Sequence, residues 1–368
     1  ITESLLFLSP AVRPDLEGIE KARLNGTRVT SEMEEFFRLC PCKKIAVTGS
    51  DGKTTTTTLI AKLLEAQGYK AWLGGNIGVN LFATLDDISK DDFAVVELSS
   101  FQLMKLSQSP DVAVITNIAP NHLDWHRDML EYVDAKKRIF GFQNKNSLLV
   151  LNLDDEYCRS FVPDAKGSVR TISGENADSD FYFNDSGIFD KNGNMLVSDD
   201  DIRIVGKHNR YNYTEAYCAV SQYVSCETLK KVAREFGGVE HRIEFVREFD
   251  GVKYYNSSID SSPSRTTACI ESFKEKIIVI VGGYDGWHRI GLRYHQNFYE
   301  KNGTFTYDVT IYLYVDGVQV SQQIMNWGDL FYSVERVDGD LVYTQNEDIT
   351  DLYGVFYRYA NAYLAEGD

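Results

Sequence analysis

Continuous apolar runs alternate with segments of helical apolar spacing over much of the chain. Segments that contain a continuous apolar run predict strands at 43–49, 92–99, 111–118 and 147–155. Apolar residues that recur every three or four positions predict helices at 53–68 and 129–140. Because a strand that is apolar throughout is covered on both faces, this alternation indicates an α/β fold with a parallel sheet between two layers of helices.

The pattern changes on either side of this region. Residues 164–206 are rich in Asp, Asn, Ser and Gly, so we expect a small β excursion with short strands at 180–185 and 200–206. Residues 242–258 predict a hairpin that turns at Asp250-Gly251. The other predicted elements are a strand–turn–helix unit near the start of the chain, helices at 211–225, 226–237 and 264–273, and a strand at 276–283.

The last part of the chain, residues 286–368, has a third pattern. Residues 304–320 alternate apolar and polar side chains, with Phe305 and Tyr307 on one face and Thr304 and Thr306 on the other. Asp316-Gly317 supplies a hairpin turn. Strict alternation is typical of antiparallel strands, so we predict a C-terminal antiparallel β-rich segment.

Composition narrows the function classes. The formal net charge is −16 over 368 residues, which argues against a general nucleic-acid or anionic-membrane partner. No apolar run reaches the roughly 18–20 residues of a membrane helix, and the first residues lack a signal-peptide pattern, so we expect a cytoplasmic protein. The six cysteines include no C-x2-C pair, and we interpret them as reduced thiols rather than zinc or redox ligands.

The segment from Gly49 to Thr54 has the composition of a phosphate-binding loop. It joins a predicted strand to a predicted helix, where exposed backbone N–H groups and the helix dipole attract anions. Lys53 can reach phosphate oxygens, and the Thr54 hydroxyl can bind Mg²⁺. The strict G-x-x-x-x-G-K-[ST] pattern is not met, because Val47 stands where its first Gly belongs. The alternative interpretation is an ordinary helix start with threonines as caps.

Other candidate residues follow neighbouring strands. Glu97 ends a strand, at the sheet edge where α/β proteins bind ligands, and a carboxylate there can hold Mg²⁺. Taken alone, a carboxylate at such a strand end is more often a solvated acid. His122 and His126 have the i,i+4 spacing of a zinc pair, but no third ligand is evident nearby. Lys136, taken alone, is a solvated helix charge.

Taken together, these segments resemble the Mur ligase family of peptidoglycan synthesis. The resemblance covers about residues 1–285 and is closest to the D-glutamate-adding member. It rests on these motifs, in chain order: TGSDGKTTT, GGNIG, ELSSFQL, TNIAPNHLDWH, YVDAKKRIF, GKHNRYN, HRIE and IVGGYD. It implies a P-loop-type central domain with partial flanking domains. The predicted parts are a remnant of the N-terminal UDP-substrate domain at 1–42, the central ATP-binding domain at 43–240, the start of the C-terminal ligase domain at 241–285, and an unassigned segment at 286–368.

The resemblance also implies a role for each matching residue. Those assigned to ATP are Gly49, Ser50, Asp51, Gly52, Lys53, Thr54, Thr55, Asn76, Asn212 and Arg242, with His208 and Asn209 facing the nucleotide. Those assigned to Mg²⁺ are Thr54, Glu97, His122 and Lys136, the last as a carbamate. The residues assigned to catalysis are Lys53, Glu97, His122 and Lys136. The residues assigned to the muramoyl-alanine channel are Ser99, Ser100 and Gln102.

The implied reaction is amide formation that consumes ATP. The carboxylate of UDP-N-acetylmuramoyl-L-alanine attacks the γ-phosphorus, and the amine of D-glutamate then displaces phosphate from the acyl phosphate. Positioning and charge neutralisation supply most of the catalysis in such a reaction. The implied cofactors are ATP and Mg²⁺, and the implied partners are these small-molecule substrates, without nucleic acid or membrane insertion.

The chain departs from the family pattern at several places. Ala11 stands where the family usually has Gly, Ser257 stands where an Asp is expected beside the nucleotide, with Asp260 three residues later, and Gly286 begins an unrelated stretch. Two alternatives therefore stay open. One is a related ligase such as folylpolyglutamate synthase, which ELSSFQL disfavours. The other is a ligase-derived nucleotide-binding scaffold, fused to a β interaction module and without turnover.

Overall fold

A computed structural model of the chain describes most residues between 4 and 345. The described residues are 4–123, 125–174, 177–204, 206–239, 242–249, 251–258, 269–270, 273, 279–283, 286–301, 304–315, 318–325, 332–337 and 340–345. The chain divides into two compact units, residues 1–274 and residues 275–368.

Nine described strands of the first unit form one sheet. The strands of this unit are β1 Leu5–Phe7, β2 Arg28–Thr30, β3 Lys43–Thr48, β4 Ala71–Gly75, β5 Phe93–Glu97, β6 Val112–Ile115, β7 Leu148–Asn152, β8 Ser168–Ser173, β9 Phe181–Asn184, β10 Gly187–Asp190, β11 Met195–Ser198, β12 Glu244–Phe249 and β13 Val252–Asn256. The large sheet has the order β11-β10-β9-β8-β7-β6-β3-β5-β4. Its strands from β4 to β9 are parallel, and β10 and β11 add an antiparallel edge. The predicted parallel α/β sheet is confirmed.

Helices cover both faces of this sheet. They are α1 Glu17–Leu24, α2 Glu32–Leu39, α3 Lys53–Gln67, α4 Ser100–Leu103, α5 Met129–Gly141, α6 Glu156–Ser160, α7 Lys207–Val220 and α8 Cys226–Glu235, with short 3-10 helices at Leu81–Asp87, Val162–Asp164 and Asp199–Asp201. Alternate residues of β3 separate the two cores: Ile45 and Val47 pack with α3, α7 and α8, whereas Ala46 packs with α2, α4, α5 and α6. In the described part of the chain, no helix is long and apolar enough to cross a bilayer.

One strand prediction in this unit is wrong. The described residues 200–204 do not form the expected strand, because Asp199–Asp201 is a 3-10 turn in which the Ile202 amide donates to the Asp199 carbonyl. The apolar side chains of Ile202 and Ile204 instead pack against the core of α3, α7 and α8. The predicted β excursion is also an extension of the main sheet, since β8 pairs with β7.

The six cysteines are free thiols, and the Sγ atoms of Cys40 and Cys42 lie 3.4 Å apart.

The hairpin predicted at 242–258 is present as the antiparallel pair β12–β13. Its turn residue Asp250 lies outside the described residues, as does most of the helix predicted at 264–273. The second unit contains β14 Val279–Gly283, β15 Gly286–Lys301, β16 Thr304–Val315, β17 Val318–Met325, β18 Tyr332–Val337 and β19 Asp340–Gln345. β14 to β17 form one antiparallel sheet and β18 pairs with β19. The antiparallel prediction is confirmed, while the turn predicted at Asp316-Gly317 lies outside the described residues.

Arg13 ties the N-terminal segment to the start of α5. Its guanidinium donates to Glu131 Oε1 at 2.7 Å and to the Trp125 carbonyl at 2.9 Å, and lies 4.9 Å from the Trp125 ring centroid. Asp15 and Glu131 both accept from it, and both side chains are largely shielded from solvent. The hydrogen bond from Arg13 is the main cause that lowers the pKa of Glu131 to about 2.

We expect the Arg13→Ala variant to unfold with a free energy about 1–3 kcal/mol lower than wild type at pH 7, since charged hydrogen bonds in a partly buried setting are lost. The folded pKa of Glu131 is depressed, so its contribution is present above the unfolded pKa and is lost as pH falls from about 4.5 to about 2. Urea denaturation of wild type and Arg13→Ala should therefore show a difference in the free energy of unfolding that becomes smaller below about pH 4.5. Lys21→Ala, which removes an exposed pair with Glu17, is the control and should cost less than about 1 kcal/mol. Equal effects of the two variants would contradict the assignment.

Candidate active site

The loop between β3 and α3 presents a helix N-terminus without a side-chain cap. Gly52 occupies the N-cap position with φ +80°, a conformation that favours glycine. Gly49 has φ +153°, and a Cβ there would lie 1.9 Å from Thr116 Oγ1. Both glycines are therefore required by the close approach of neighbouring groups. No side chain caps the 15-residue helix α3, and the amides at such a helix start attract anions.

The segment after β6 holds this loop in place. The Ser50 amide donates to the Asn117 carbonyl at 2.8 Å, and the Asp51 amide donates to Asn117 Oδ1 at 3.0 Å. Thr116 Oγ1 donates to the Asp51 carbonyl at 2.6 Å. Ser50 Oγ lies 2.9 Å from the Tyr132 hydroxyl and donates to the Ala119 carbonyl. The buried Ser50 side chain thus shapes the loop from within, so a ligand would meet the loop through its backbone.

Three predicted residues meet at the carboxyl edge of the sheet. Thr54 Oγ1 donates to Glu97 Oε2 at 2.8 Å, and Asn76 Nδ2 donates to Glu97 Oε1 at 2.9 Å. Glu97 is the last residue of β5 and is only 1% exposed. The hydroxyl and carboxylate oxygens form a hard-oxygen pair of the kind that Mg²⁺ prefers, directly beside the helix start. The donor set therefore fits a magnesium ion bound together with phosphate oxygens.

Lys53 folds back over the loop, and its Nζ donates to the Ser50 carbonyl at 2.8 Å. Lys136 approaches the same loop from α5, where its Nζ donates to the Gly49 carbonyl at 2.7 Å. Lys136 is 2% exposed, and burial, followed by the nearby Lys53 charge, lowers its pKa well below the usual lysine value. The negative charges of Asp51 and Glu97 oppose this shift. An amine with so low a pKa is deprotonated more readily, and the free amine is the form that reacts with CO₂.

The two histidines after β6 differ in environment. His122 is exposed, has φ +55°, and contacts the edge of the Phe101 ring with centroids 5.1 Å apart. His126 is 2% exposed and stacks on Phe101, while its Nε2 lies 2.8 Å from Ser100 Oγ. Burial lowers the pKa of His126, so it is a neutral core side chain that holds α4. In the part of the chain that the structure describes, no three His, Cys, Asp or Glu side chains form a metal-binding group.

The predicted substrate residues lie at the start of α4. Ser99 and Gln102 form a capping box in which Ser99 Oγ accepts from the Gln102 amide and Gln102 Oε1 accepts from the Ser99 amide. Ser100 and Gln102 are buried. These side chains shape the segment that follows Glu97, and their contact with a substrate stays a prediction.

A small cavity lies beside the start of α3. Thr55, His208, Asn209 and Arg242 line it together with four residues of the 204–243 region. A larger cleft shares Ile204 and Ile243 with this cavity and is also lined by Arg203, Gly237, Phe245, Glu248, Lys253 and Tyr255. The structure thus brings Arg242 close to the helix start that carries Lys53, across a long sequence separation. Ser257, at the expected Asp position, accepts a hydrogen bond from the Ile243 amide at 3.0 Å.

Asn212 lies behind the loop rather than in this cavity. It is 4% exposed, its Oδ1 accepts from Thr56 Oγ1 at 3.2 Å, and its Nδ2 donates to Asn209 Oδ1 at 2.9 Å. The same Thr56 hydroxyl lies 3.1 Å from Glu215 Oε2. The sequence interpretation missed Thr56 and Glu215. Glu215 could have been noticed as the one acidic residue in the helical run 211–225.

Comparison with known proteins places this geometry in a family. Residues 47–220 match the Mur ligase middle domain. The chain is 53% identical over 281 residues to UDP-N-acetylmuramoylalanine--D-glutamate ligase of Clostridium beijerinckii. This alignment covers 76% of this chain and 61% of that protein. The same enzyme of Ruminiclostridium cellulolyticum is 51% identical over 285 residues. The chain therefore spans about three fifths of the length of these relatives.

Solved structures agree on the fold. Thermotoga maritima UDP-N-acetylmuramate-alanine ligase MurC superimposes with a TM-score of 0.53 at 19% identity, covering 73% of this chain and 63% of that one. At such low identity the likeness supports the fold alone. Together with the domain match, it establishes that the region carrying the loop, Glu97 and Lys136 has the Mur ligase fold.

Proposed function

This chain belongs to the Mur ligase family through its middle domain, and from that premise we propose that it is an ATP-dependent ligase that joins D-glutamate to UDP-N-acetylmuramoyl-L-alanine. The relatives about 50% identical to it carry this activity in their names. The observation that supports the proposal most is the contact of Thr54 and Asn76 with the buried Glu97, directly beside the uncapped start of α3. A cytoplasmic location in peptidoglycan precursor synthesis is part of the proposal.

Each residue of the site has a role in this proposal. The loop amides and the Lys53 ammonium would hold the β- and γ-phosphates, and Glu97 and Thr54 would hold Mg²⁺, which would offset phosphate charge during transfer. Asn76 keeps Glu97 oriented, and Arg242 approaches the nucleotide from the cavity beside α3. His122 and Lys136, as a carbamate, would hold a second Mg²⁺. Ser99, Ser100 and Gln102 would line the approach of the muramoyl-alanine carboxylate.

The proposed reaction has two bond-forming steps. An oxygen of the substrate carboxylate attacks the γ-phosphorus as the bond to ADP breaks, and the product is an acyl phosphate. The amine of D-glutamate then attacks the acyl carbon, phosphate leaves with the electron pair of the C–O bond, and the amine loses a proton. Since the attacking and leaving oxygens must lie in line, the rigid loop contributes mainly by positioning the phosphates.

Phosphate release from ATP tests this proposal directly. The protein is incubated with MgATP and UDP-N-acetylmuramoyl-L-alanine, with and without D-glutamate, and L-glutamate serves as the matched control. We expect release that requires both substrates and does not respond to L-glutamate. The antiparallel sheet of the second unit favours one alternative, a nucleotide-binding scaffold without turnover. ATP binding without phosphate release stimulated by D-glutamate would select that alternative.

A further inference from the structure

A buried carboxyl group lies directly behind the phosphate loop. Glu215 is on α7, is 1% exposed, and contacts Thr56 in the first turn of α3 at 3.1 Å. Burial raises the pKa of Glu215 to about 8, and the hydrogen bond with Thr56 offsets only part of this effect. Among the described residues, the thiols of Cys158 on α6 and Cys218 on α7 interact with it, and burial is the main cause that raises the pKa of both thiols. At neutral pH the carboxyl group therefore carries its proton.

The number of available protons sets the direction of the hydrogen bonds. Thr56 Oγ1 lies within hydrogen-bond distance of two acceptor oxygens, Glu215 Oε2 and Asn212 Oδ1, but a hydroxyl has only one proton to donate. If Glu215 is protonated, its O–H donates to Thr56, and the Thr56 proton is left for Asn212. Each donor then has an acceptor. The hydrogen bonds run from Glu215 through Thr56 to Asn212, and Asn212 Nδ2 donates in turn to Asn209 Oδ1.

This chain of hydrogen bonds ends at the loop. A Cβ placed on Gly52 would lie 2.5 Å from Asn212 Oδ1, so the amide oxygen lies against the N-cap residue of α3. The orientation of the Asn212 amide thus decides which group faces the loop backbone. A carboxylate at Glu215 would instead draw the Thr56 proton away from Asn212 and place a negative charge behind the phosphate site.

We propose that Glu215 is a positioning residue that, as an uncharged acid, directs the hydrogen bonds through Thr56 to Asn212 and so keeps the loop receptive to nucleotide phosphates. The inference rests on the proposed function in one respect, since it takes ATP as the ligand. It adds a residue to that site and predicts that loss of the Glu215 proton weakens nucleotide binding.

The test measures the Kd of MgATP by calorimetry between pH 6.5 and 9.5. Glu215→Gln is the informative variant, because its amide N–H can donate to Thr56 but cannot ionise. We expect wild-type binding to weaken about tenfold over this range, as a unit charge near the phosphates would cause, while the variant keeps the wild-type Kd of pH 6.5 throughout. Glu65→Gln, an exposed site on α3, should follow the wild-type profile. Identical pH profiles for wild type and Glu215→Gln would overturn the inference.

A second readout does not depend on ATP. The folded pKa of Glu215 is raised above its unfolded value, so its contribution to stability is present below about pH 4.5 and is lost as pH rises to about 8. We expect the Tm of wild type to fall by about 5–10 °C relative to Glu215→Gln between pH 5 and 8. Parallel Tm curves would show that Glu215 is not a buried neutral acid and would overturn the inference. If no protein binds ATP at any pH, the proposed function fails together with the positioning role. If wild type binds ATP with a profile that the variant shares, only the inference fails.

Discussion

The Glu97→Gln variant is expected to lose about 10²–10³-fold in the kcat of ATP-dependent ligation. The amide can still accept a hydrogen bond from Thr54, and the side chain keeps its size at a position that is 1% exposed. It lacks the negative charge that would hold Mg²⁺ beside the phosphates, and losses of this order follow when one stabilising group is removed from a preorganised site. The measurement is steady-state phosphate release with saturating substrates, at several Mg²⁺ concentrations.

Asp92→Asn is the matched control for Glu97→Gln. Asp92 directly precedes β5 at the opposite end of the same strand, and its carboxylate accepts from Trp72 Nε1 at 2.8 Å. Its loss should lower the Tm without changing kcat at a temperature where the protein is folded. If Glu97→Gln retains wild-type kcat, or if both variants lose the same activity, Glu97 has no part in phosphate transfer.

Lys136→Met should lower kcat by about 10²–10³-fold, the second large effect that we expect. The depressed pKa of Lys136 favours the free amine, which can attack CO₂ to form an N–C bond and release a proton. The resulting carbamate carries a negative charge, so its oxygens can bind a metal ion. We expect protein equilibrated with ¹³C-bicarbonate to give a carbamate carbonyl signal by NMR, and Lys136→Met to lack it.

Lys137→Met is the control for Lys136→Met. Lys137 is the next residue of α5, but its Nζ pairs with Asp164 at 2.6 Å on the partly exposed side of the helix. That variant should retain both the carbamate signal and nearly all of the kcat. A ¹³C signal that persists in Lys136→Met, together with unchanged turnover, would contradict the role assigned to Lys136.

The sequence was sufficient to predict those parts of the fold in which local pattern and burial agree. β3, β5, β6 and β7 each contain a continuous apolar run of three or more residues, and each strand is found where it was predicted. Residues 200–206 were misassigned because Ile202 and Ile204 alternate with polar residues as in a strand, although an aspartate-rich 3-10 turn precedes them. The edge strand β4 was not predicted, because its sequence AWLGG has a weak strand pattern and depends on pairing with β5.

Some residues of the candidate site could likewise be expected from the sequence, whereas the positions of others depend on tertiary packing. Lys53, Thr54 and Glu97 follow strands that end at one sheet edge, so their meeting could be expected from strand order alone. The position of Arg242 in the cavity beside Thr55 depends on the path of the chain after α8. Glu215 was missed because a single acid in a helix is usually solvated, and only the packing of α7 on α3 buries it. The predicted domain bounds at 42, 240 and 285 and the individual site roles stay predictions.

The central claim is that the terminal phosphates of ATP and a divalent ion lie at the Gly49–Thr54 loop beside Glu97. The most direct test is a crystal of the protein with a non-hydrolysable ATP analogue and Mn²⁺, whose anomalous scattering locates the metal. We predict an anomalous peak within about 2.0–2.3 Å of Glu97 or Thr54 oxygens, with the phosphates on the amides of Gly52 to Thr54. Phosphates and metal bound elsewhere, with the loop vacant at saturating nucleotide, would contradict the account.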